Sequence, residues 1–219
     1  MSLIIFEGCD GSSKTTQLKL LEAHLKKQNK DVMILNCPGT TTDGLRLRDI
    51  LLNRDTPIIS PVEELVFLAA IMDLVIRDII PAISDGKTVI IDRFLDSTLV
   101  YQGYVKRHSF HHIQSLIDAI FYTIDPVALT KLRNGFVITL EPSLEIALKR
   151  IKRRGDKNVY DTMDETFHGK VIEGFKTLKT QRGWGNRYDY RITIPVGHDD
   201  TEIDIHNTII TSLRSVGAI

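Results

Sequence analysis

The chain has 219 residues, and its 28 lysine and arginine residues balance 28 aspartate and glutamate residues, so the formal net charge at pH 7 is zero. This balance excludes the strong overall field that draws proteins to nucleic acid or anionic membranes, and no such partner is expected. Hydrophobic residues make up 42% of the chain, enough for one substantial core. Met1 leads almost directly into a strand pattern, and no apolar run approaches the length of a membrane span. We therefore expect a single cytoplasmic domain over residues 1–219.

Strand and helix patterns alternate along the whole sequence, which predicts an α/β fold with a mostly parallel sheet covered by helices on both faces. Strand patterns occupy residues 3–6, 31–35, 88–91, 136–140 and 190–194. Helical patterns occupy residues 15–27, 45–52, 60–84, 97–106, 109–124, 143–152, 165–180 and 202–214. The polar segment 153–162 is predicted to be a mobile loop.

A pattern typical of a phosphate-binding loop follows the first strand. Gly8, Lys14 and Thr15 fit the sequence glycine, four free residues, glycine, lysine and serine or threonine, but Ser13 replaces the second glycine. We expect Lys14 to reach the β- and γ-phosphates of ATP and the Thr15 hydroxyl to hold Mg²⁺. Ser13 is compatible with three outcomes: it is tolerated, it binds a phosphate oxygen, or it weakens nucleotide binding. The residues expected to bind ATP are Gly8, Asp10, Gly11, Ser12, Ser13, Lys14, Thr15 and Thr16.

A second group of chemically active residues follows the buried strand at 88–91. Asp92 and Arg93 stand at its carboxyl end, the edge where open α/β sheets bind their ligands. A carboxylate there is suited to Mg²⁺, and a guanidinium is suited to a phosphate group. We therefore expect Asp92 to share the Mg²⁺ with Thr15, and Arg93 to neutralise a phosphate.

These motifs together resemble those of thymidylate kinases, and the resemblance extends over nearly the whole chain. It implies a three-layer nucleoside monophosphate kinase fold with a five-stranded sheet, and transfer of the γ-phosphate of ATP to a deoxynucleoside monophosphate, dTMP above all. It also implies ATP and Mg²⁺ as cofactors and a homodimer formed through the long apolar helix. The segments that carry the resemblance are residues 6–17, Pro38-Gly39, residues 92–103 and residues 147–155.

The resemblance also implies which residues hold the acceptor nucleotide. Phe67 would stack on the base, and Tyr101 would press on the sugar where a ribose 2′-hydroxyl would otherwise lie. Asp10 would accept a hydrogen bond from the 3′-hydroxyl, and Arg93 would bind the phosphate. Thr98 would lie near the base edge, and Gln102 would help to line the acceptor site.

A basic run near the second half of the chain is the candidate lid. Five of the eight residues 150–157 are lysine or arginine, which suits a segment that closes over phosphate groups. A solvated helix end is the alternative interpretation of the same run. Because the phosphate loop contains no arginine, the resemblance favours a lid over about 150–162, with Arg154 as a catalytic cation beside Lys14, Asp92 and Arg93.

The acceptor site departs from the family pattern at three places. The loop after the second strand carries Asn36-Cys37 where the family has an arginine, and Ile71 stands where an arginine reaches the base. Asn158-Val159 replaces an Asp-Arg pair in the lid. Loss of a donor to the base alters discrimination between substrates, so these residues do not identify the base of the acceptor nucleotide. Arg48 is a candidate for the missing phosphate charge.

Two other functions compete with this hypothesis. A deoxynucleoside kinase would share the phosphate loop, but it needs a carboxylate base for the sugar 5′-hydroxyl, and Glu7 is the conceivable candidate. A nucleotide-binding protein without turnover would explain Ser13, Ile71 and Val159. Retention of the catalytic lysine, acid and arginine argues against that second alternative.

Overall fold

The computed structural model describes residues 2–53, 61–106, 110–124, 126–154, 158–180, 188 and 190–219, which form a parallel α/β sandwich. Their strands pair in the order β2-β3-β1-β4-β5, and every pair is parallel. The mostly parallel sheet predicted from the sequence is therefore confirmed. The strands are β1 (Leu3–Glu7), β2 (Val32–Asn36), β3 (Thr88–Asp92), β4 (Phe136–Pro142) and β5 (Tyr190–Val196).

Helices connect consecutive strands, as the alternating pattern predicts. The long central helix contains a π-helical turn at Val75–Ile79, and a second π-helical segment, Leu99–Val105, continues α5. Residues 60, 109 and 155–157, which the predicted helices and lid included, lie outside the described residues. The helices are α1 (Lys14–Lys27), α2 (Thr42–Leu52), α3 (Pro61–Leu74), α4 (Ile80–Ser84), α5 (Leu95–Thr98), α6 (Phe110–Tyr122), α7 (Pro126–Arg133), α8 (Leu144–Arg153), α9 (Glu165–Thr180) and α10 (Glu202–Ser215).

The sequence prediction missed α7 and shortened four strands, with the largest differences in β4 and β5. Helix α7 has only eight residues, too few for a helical period to stand out, and the core contact of Leu132 becomes visible only in the fold. Strands β4 and β5 run on to Pro142 and Val196, which pair with each other at the end of the ladder. The end of a strand depends on its pairing with a neighbouring strand, and the local sequence does not determine that pairing.

The sheet is buried on both faces, which explains its continuous apolar strands. In β1, Leu3 and Ile5 join the core on one face, whereas Ile4 and Phe6 join the core on the other. Helices α1 and α10 cover the second face. The first face is covered by residues of α3, α6, α9 and the two π-helical segments.

The strand register brings the predicted motifs to one edge of the sheet. Phe6 of β1 and Asn36 of β2 both pair with Asp92 of β3, and Glu7 pairs with Thr139 of β4. The chain leaves β1 toward one side of the sheet and later crosses back to β4 on the other side. A crevice opens at such a reversal of strand order, and ligands bind there in open α/β sheets.

A buried ion pair holds α5 beneath this crevice. Asp96, which is 3% exposed, accepts hydrogen bonds from both terminal nitrogens of Arg191 on β5, one of them at 2.9 Å. A bidentate arginine–carboxylate contact fixes orientation as well as distance. The first turn after Arg93 is thereby tied to an edge strand.

Among the residues that the structure describes, no helix is long and apolar enough to cross a membrane.

Candidate active site

The loop between β1 and α1 follows a path that only glycine permits at two positions. Gly8 has φ 134° and Gly11 has φ 75°, both in the region that favours glycine. A Cβ atom on Gly8 would lie 2.5 Å from the carbonyl oxygen of Leu140, and one on Gly11 would lie 2.4 Å from that of Ala147. The loop therefore packs its backbone directly against β4 and α8.

Ser13 adopts the conformation that the usual glycine would have. Its backbone lies in the left-handed region, with φ 72° and ψ 18°, immediately before α1 begins at Lys14. The side chain makes no capping hydrogen bond to the helix. A residue with a Cβ atom is disfavoured there by about 1–2 kcal/mol. The loop thus keeps its geometry without the glycine, at the expense of local strain.

Lys14 turns back over the loop that precedes it. Its Nζ atom donates to the carbonyl oxygens of Gly8 (3.1 Å) and Cys9 (2.8 Å) and lies 3.2 Å from the Ser12 hydroxyl. Burial lowers the pKa of Lys14, and the nearby Arg93 guanidinium lowers it further. The ammonium group is thus fixed at the mouth of the loop.

Thr15 and Asp92 meet at the predicted metal position. The Thr15 hydroxyl donates to Oδ2 of Asp92 at 3.1 Å, while the buried Oδ1 of Asp92 has no partner among the described residues. Hydroxyl and carboxylate oxygens suit Mg²⁺, which is typically held by one or two carboxylates together with waters and substrate phosphates. No group of three or more metal-ligating side chains occurs in the described part of the chain. The donor set therefore fits Mg²⁺ bound jointly with a nucleotide.

Arg93 connects the phosphate loop with the acceptor side. It has φ 66°, and its Nη1 donates to the Gly8 carbonyl at 2.9 Å and to the Ser97 hydroxyl at 3.1 Å. Its Nη2 donates to Asp10 Oδ1 at 2.6 Å, and the Tyr101 hydroxyl donates to the other Asp10 oxygen at 2.8 Å. Burial alone would raise the pKa of Asp10, but the charges of Arg93 and Lys14 outweigh it and lower the pKa to about 2.

Aromatic side chains form the wall beyond Arg93. The guanidinium lies 5.3 Å from the centre of the Tyr101 ring, a cation–π contact. Tyr101 meets Tyr160 edge-on at 5.4 Å, and Tyr160 stacks on Phe167 at 5.9 Å. Tyr160 lies in the predicted lid, so part of that segment is packed into the core. Residues 158–162 form a turn in which three residues are buried, so this part of the predicted mobile loop is well packed.

One cavity of about 590 Å³ unites these features. Its lining includes all the sequence-predicted site residues except Gly8, whose carbonyl faces Lys14 and Arg93. Ile71 is 1% exposed and does not line the cavity, so the position of the missing arginine lies in the core. The predicted residues in the lining are Asp10, Gly11, Ser12, Ser13, Lys14, Thr15, Thr16, Phe67, Asp92, Arg93, Thr98, Tyr101, Gln102 and Arg154.

The sequence analysis did not assign several further residues that line the cavity. Arg150 donates to the Gly11 carbonyl at 3.3 Å, and Arg48, suggested only as a substitute charge, donates to the Pro38 carbonyl at 2.9 Å. With Arg93 and Arg154 they bring four guanidinium groups to one cavity. The basic run at 150–157 was a signal for Arg150. Most of the others lie in segments that the sequence analysis singled out without giving the individual residue a role, whereas Leu52 and Glu202 had no local signal. These others are Asn36, Cys37, Pro38, Leu52, Phe94, Ser97, Asn158, Tyr160 and Glu202.

Glu7 is a structural carboxylate and not a free base. It is fully buried and accepts from the backbone N–H of Phe94 (2.7 Å), the N–H of Ser97 (3.2 Å) and the Ser97 hydroxyl (2.6 Å). Burial and the neighbouring Asp96 raise its pKa to about 7, despite these hydrogen bonds. It does not line the cavity. The nucleoside kinase hypothesis thereby loses the base that it required.

A parallel sheet, a phosphate loop with its lysine, a threonine–aspartate metal pair and an arginine-rich cavity together define a P-loop kinase. A sequence profile described as thymidylate kinase matches residues 6–189. The chain belongs to the thymidylate kinase family, and it is an ATP-dependent nucleoside monophosphate kinase that uses ATP and Mg²⁺.

Individual relatives agree with this assignment. The chain is 39% identical to a thymidylate kinase from Caldanaerobacter subterraneus subsp. tengcongensis over 176 residues, or 80% of each chain. It is 33% identical to a thymidylate kinase from Rickettsia canadensis over 207 residues, or 94% of each chain. The crystal structure of thymidylate kinase from Ehrlichia chaffeensis superposes with a TM-score of 0.71 at 25% identity, covering 97% of this chain and 98% of the other.

The strain at Ser13 predicts a stabilising substitution. Ser13→Gly is expected to raise the free energy of unfolding by about 1 kcal/mol, because glycine adopts positive φ without a Cβ clash. Urea denaturation without nucleotide measures the change. The control is Ser212→Gly inside α10, where glycine should lower stability by about 0.5 kcal/mol. A Ser13→Gly protein no more stable than the wild type would contradict the strain argument.

The raised pKa of Glu7 predicts a pH-dependent stability. Its pKa is about 7 in the folded protein against an ordinary value of 4.5, so the folded state retains a proton that the unfolded chain releases. This contribution is fully present below pH 4.5 and is lost as the pH rises to about 7, a fall of up to about 3 kcal/mol. Glu7→Gln should remove that part of the slope in urea titrations between pH 5 and 7.

The matched control is Glu22→Gln, which changes a partly exposed carboxylate on α1 paired with Lys26. This substitution should leave the pH slope as it is in the wild type. Identical slopes for the wild type and Glu7→Gln would show that Glu7 titrates normally.

Proposed function

We propose that the chain transfers the γ-phosphoryl group of ATP to the 5′-phosphate of dTMP. The observation that carries the proposal is the linked set Lys14, Arg93, Asp10 and Tyr101, which joins the phosphate loop to a second, aromatic-walled end of the same cavity. Two nucleotides must meet end to end in such a kinase. Phosphoryl transfer depends on positioning and charge neutralisation more than on covalent chemistry, and this cavity supplies both.

The donor side binds the phosphates of ATP. The backbone N–H groups of the loop and the ammonium of Lys14 bind the β- and γ-phosphates, and Arg150 and Arg154 add charge from the lid side. Thr15 and Asp92 hold Mg²⁺. When bound, the metal neutralises negative charge on the phosphate oxygens. Lys14 exchanges its contacts with the loop carbonyls for contacts with phosphate.

The acceptor side binds the monophosphate with residues on three elements. Arg93 binds the 5′-phosphate, and Arg48, which lines the same cavity, supplies the charge that is missing at Asn36-Cys37. Asp10 accepts from the 3′-hydroxyl with lone pairs that remain beside its contacts to Arg93 and Tyr101. The Tyr101 ring excludes a ribose 2′-hydroxyl.

The base lies between Phe67 and the polar side chains beyond it. Phe67 is 9% exposed, lines the cavity and stacks on the pyrimidine ring. Since Ile71 is buried in the core, hydrogen bonds to the base edge come from Thr98 and Gln102. These two side chains are both buried and both line the cavity.

The chain is one domain over residues 1–219 with a lid at about 150–162. The lid proposal is supported by Arg154, whose Nη1 lies 3.7 Å from Oδ1 of the buried Asp161 while its side chain still lines the cavity.

A cytoplasmic location is proposed as well. Cys9 and Cys37 are buried free thiols, and burial raises the pKa of Cys9 to about 11, which keeps it unreactive.

An apolar stripe on α3 and on the π-helical segment that follows it supports a homodimer. The stripe consists of residues at spacings of four, three and four, which places them on one face: Leu65, Ala69 and Met72 of α3 and Ile76 of the π-helical segment. Leu65 is 54% exposed and Ile76 is 53% exposed in the isolated chain. A continuous apolar face of this kind is typical of a protein interface. A second copy of the chain, related by twofold symmetry, would cover it.

The activity is tested by coupled ADP release with Mg-ATP. We expect turnover of dTMP, and Lys14→Ala should reduce kcat at least a hundredfold, because a charge that stabilises the transferring phosphoryl group is lost. The panel includes dUMP, dCMP, dGMP, dAMP and thymidine. Turnover of thymidine alone would establish a nucleoside kinase. Binding of ATP with no turnover of any substrate would establish a binding protein.

The dimer is tested with two isoleucines of nearly equal exposure. Ile76→Arg in the π-helical segment after α3 should shift the mass measured by light scattering from twice 24.8 kDa toward 24.8 kDa, because a charge is buried in the interface. Ile203→Arg on α10, where the isoleucine is 55% exposed, should leave the dimer intact. A monomeric wild type, or a dimer that survives Ile76→Arg, would contradict the proposed interface.

A further inference from the structure

Gln102 carries a buried acceptor without a partner at the base end of the cavity. The residue is 1% exposed and lines the same cavity as Phe67 and Thr98. Its Oε1 atom has no hydrogen-bond partner among the described residues. A buried polar atom left unpaired is destabilising, because it has lost its hydrogen bonds to water without replacement. The cavity therefore holds an acceptor that a ligand with a suitably placed donor would satisfy.

Glu63 determines which end of the Gln102 amide group has no hydrogen-bond partner. The Glu63 carboxylate is 1% exposed, and its Oε1 accepts from Gln102 Nε2 at 3.4 Å and from the Tyr160 hydroxyl. Its Oε2 forms an ion pair with Lys106. An ionised carboxylate only accepts hydrogen bonds, so the amide must turn its NH₂ group toward Glu63. The orientation of Gln102 is thus fixed by charge, and its oxygen is the group that remains.

We propose that Glu63 is a positioning residue that sets base specificity by holding Gln102 with its oxygen available to the substrate. The inference rests on the proposed function, because it assumes that the base lies beside Phe67. Thymine and uracil carry an N–H donor at ring position 3, whereas cytosine has a bare nitrogen there. A fixed acceptor pairs with the first two and meets a second acceptor in the third, and such a mismatch is a strong source of rejection.

The same geometry provides selectivity for the base in a chain that lacks the family's base-contacting arginine. Ile71 offers no hydrogen bond, and it lies in the core rather than on the cavity. Discrimination among pyrimidines then falls to the amide that Glu63 orients. This acceptor does not sense the 5-methyl group, so it separates dTMP and dUMP from dCMP but does not separate dTMP from dUMP.

Glu63→Gln tests the proposal with a side chain of almost the same shape. The new amide can donate as well as accept, so Gln102 becomes free to turn its NH₂ group toward the base. We expect KM for dTMP to rise about tenfold with kcat within about threefold, and the preference for dTMP over dCMP in kcat/KM to fall at least tenfold. Both constants are measured for dTMP, dUMP and dCMP at saturating Mg-ATP.

Two further variants separate positioning from general damage. Gln102→Met removes the acceptor, and it should also lower the preference for dTMP over dCMP. In that background Glu63→Gln should change the preference no further, because its effect acts through Gln102. Glu22→Gln makes the same substitution at a partly exposed carboxylate of α1, and it should leave the ratio within twofold of the wild-type ratio.

The inference is overturned if Glu63→Gln keeps the wild-type ratio, or if its effect persists in the Gln102→Met background. Should Glu63→Gln fail to fold, as judged by circular dichroism, Gln102→Met alone decides: an unchanged ratio overturns the inference. A wild-type protein that phosphorylates no monophosphate would refute the proposed function instead, so the two failures are distinguishable.

Discussion

The partly buried guanidinium of Arg93 joins the parts on which the site depends. It donates to the backbone of Gly8 in the phosphate loop, to Asp10 beyond it, and to Ser97 at the start of α5. A planar group with five donors can hold three such partners in one geometry, which an ammonium group cannot do. Donor and acceptor sides are therefore fixed relative to each other before substrates arrive, and that prior organisation is what phosphoryl transfer requires.

Around this centre the fold tolerates strain and buried charge. Ser13 and Arg93 both have positive φ, and Glu7 is buried with a raised pKa. Each of these features is unfavourable alone. Ser13 and Arg93 line the cavity, and Glu7 lies behind it, where it accepts hydrogen bonds from Phe94 and Ser97. The surrounding sheet, buried on both faces, supplies the stability that lets them persist.

The acceptor side shows how a binding site can lose one polar contact and use another. Ile71 lies in the core, and the cavity is lined instead by the Arg48 guanidinium and the Gln102 amide, which we propose supply the charge and the hydrogen bond. Glu63 lies behind Gln102 and fixes its amide. In the proposed arrangement, base specificity therefore depends on a residue that does not line the cavity.

The sequence alone determined the sheet, the phosphate loop and most of the site, because strand periodicity and motif spacing are local properties of the chain. Lys14, Thr15 and Asp92 were predicted from such spacing, and the family resemblance supplied Tyr101 and Phe67. Only the tertiary structure decided which distant residues join them. The clustering of four arginines in one cavity, the use of Glu7 as a helix cap and the contact of Glu63 with Gln102 all arise between elements far apart in sequence. Contacts of that kind depend on how helices pack on the sheet, and no local pattern records them.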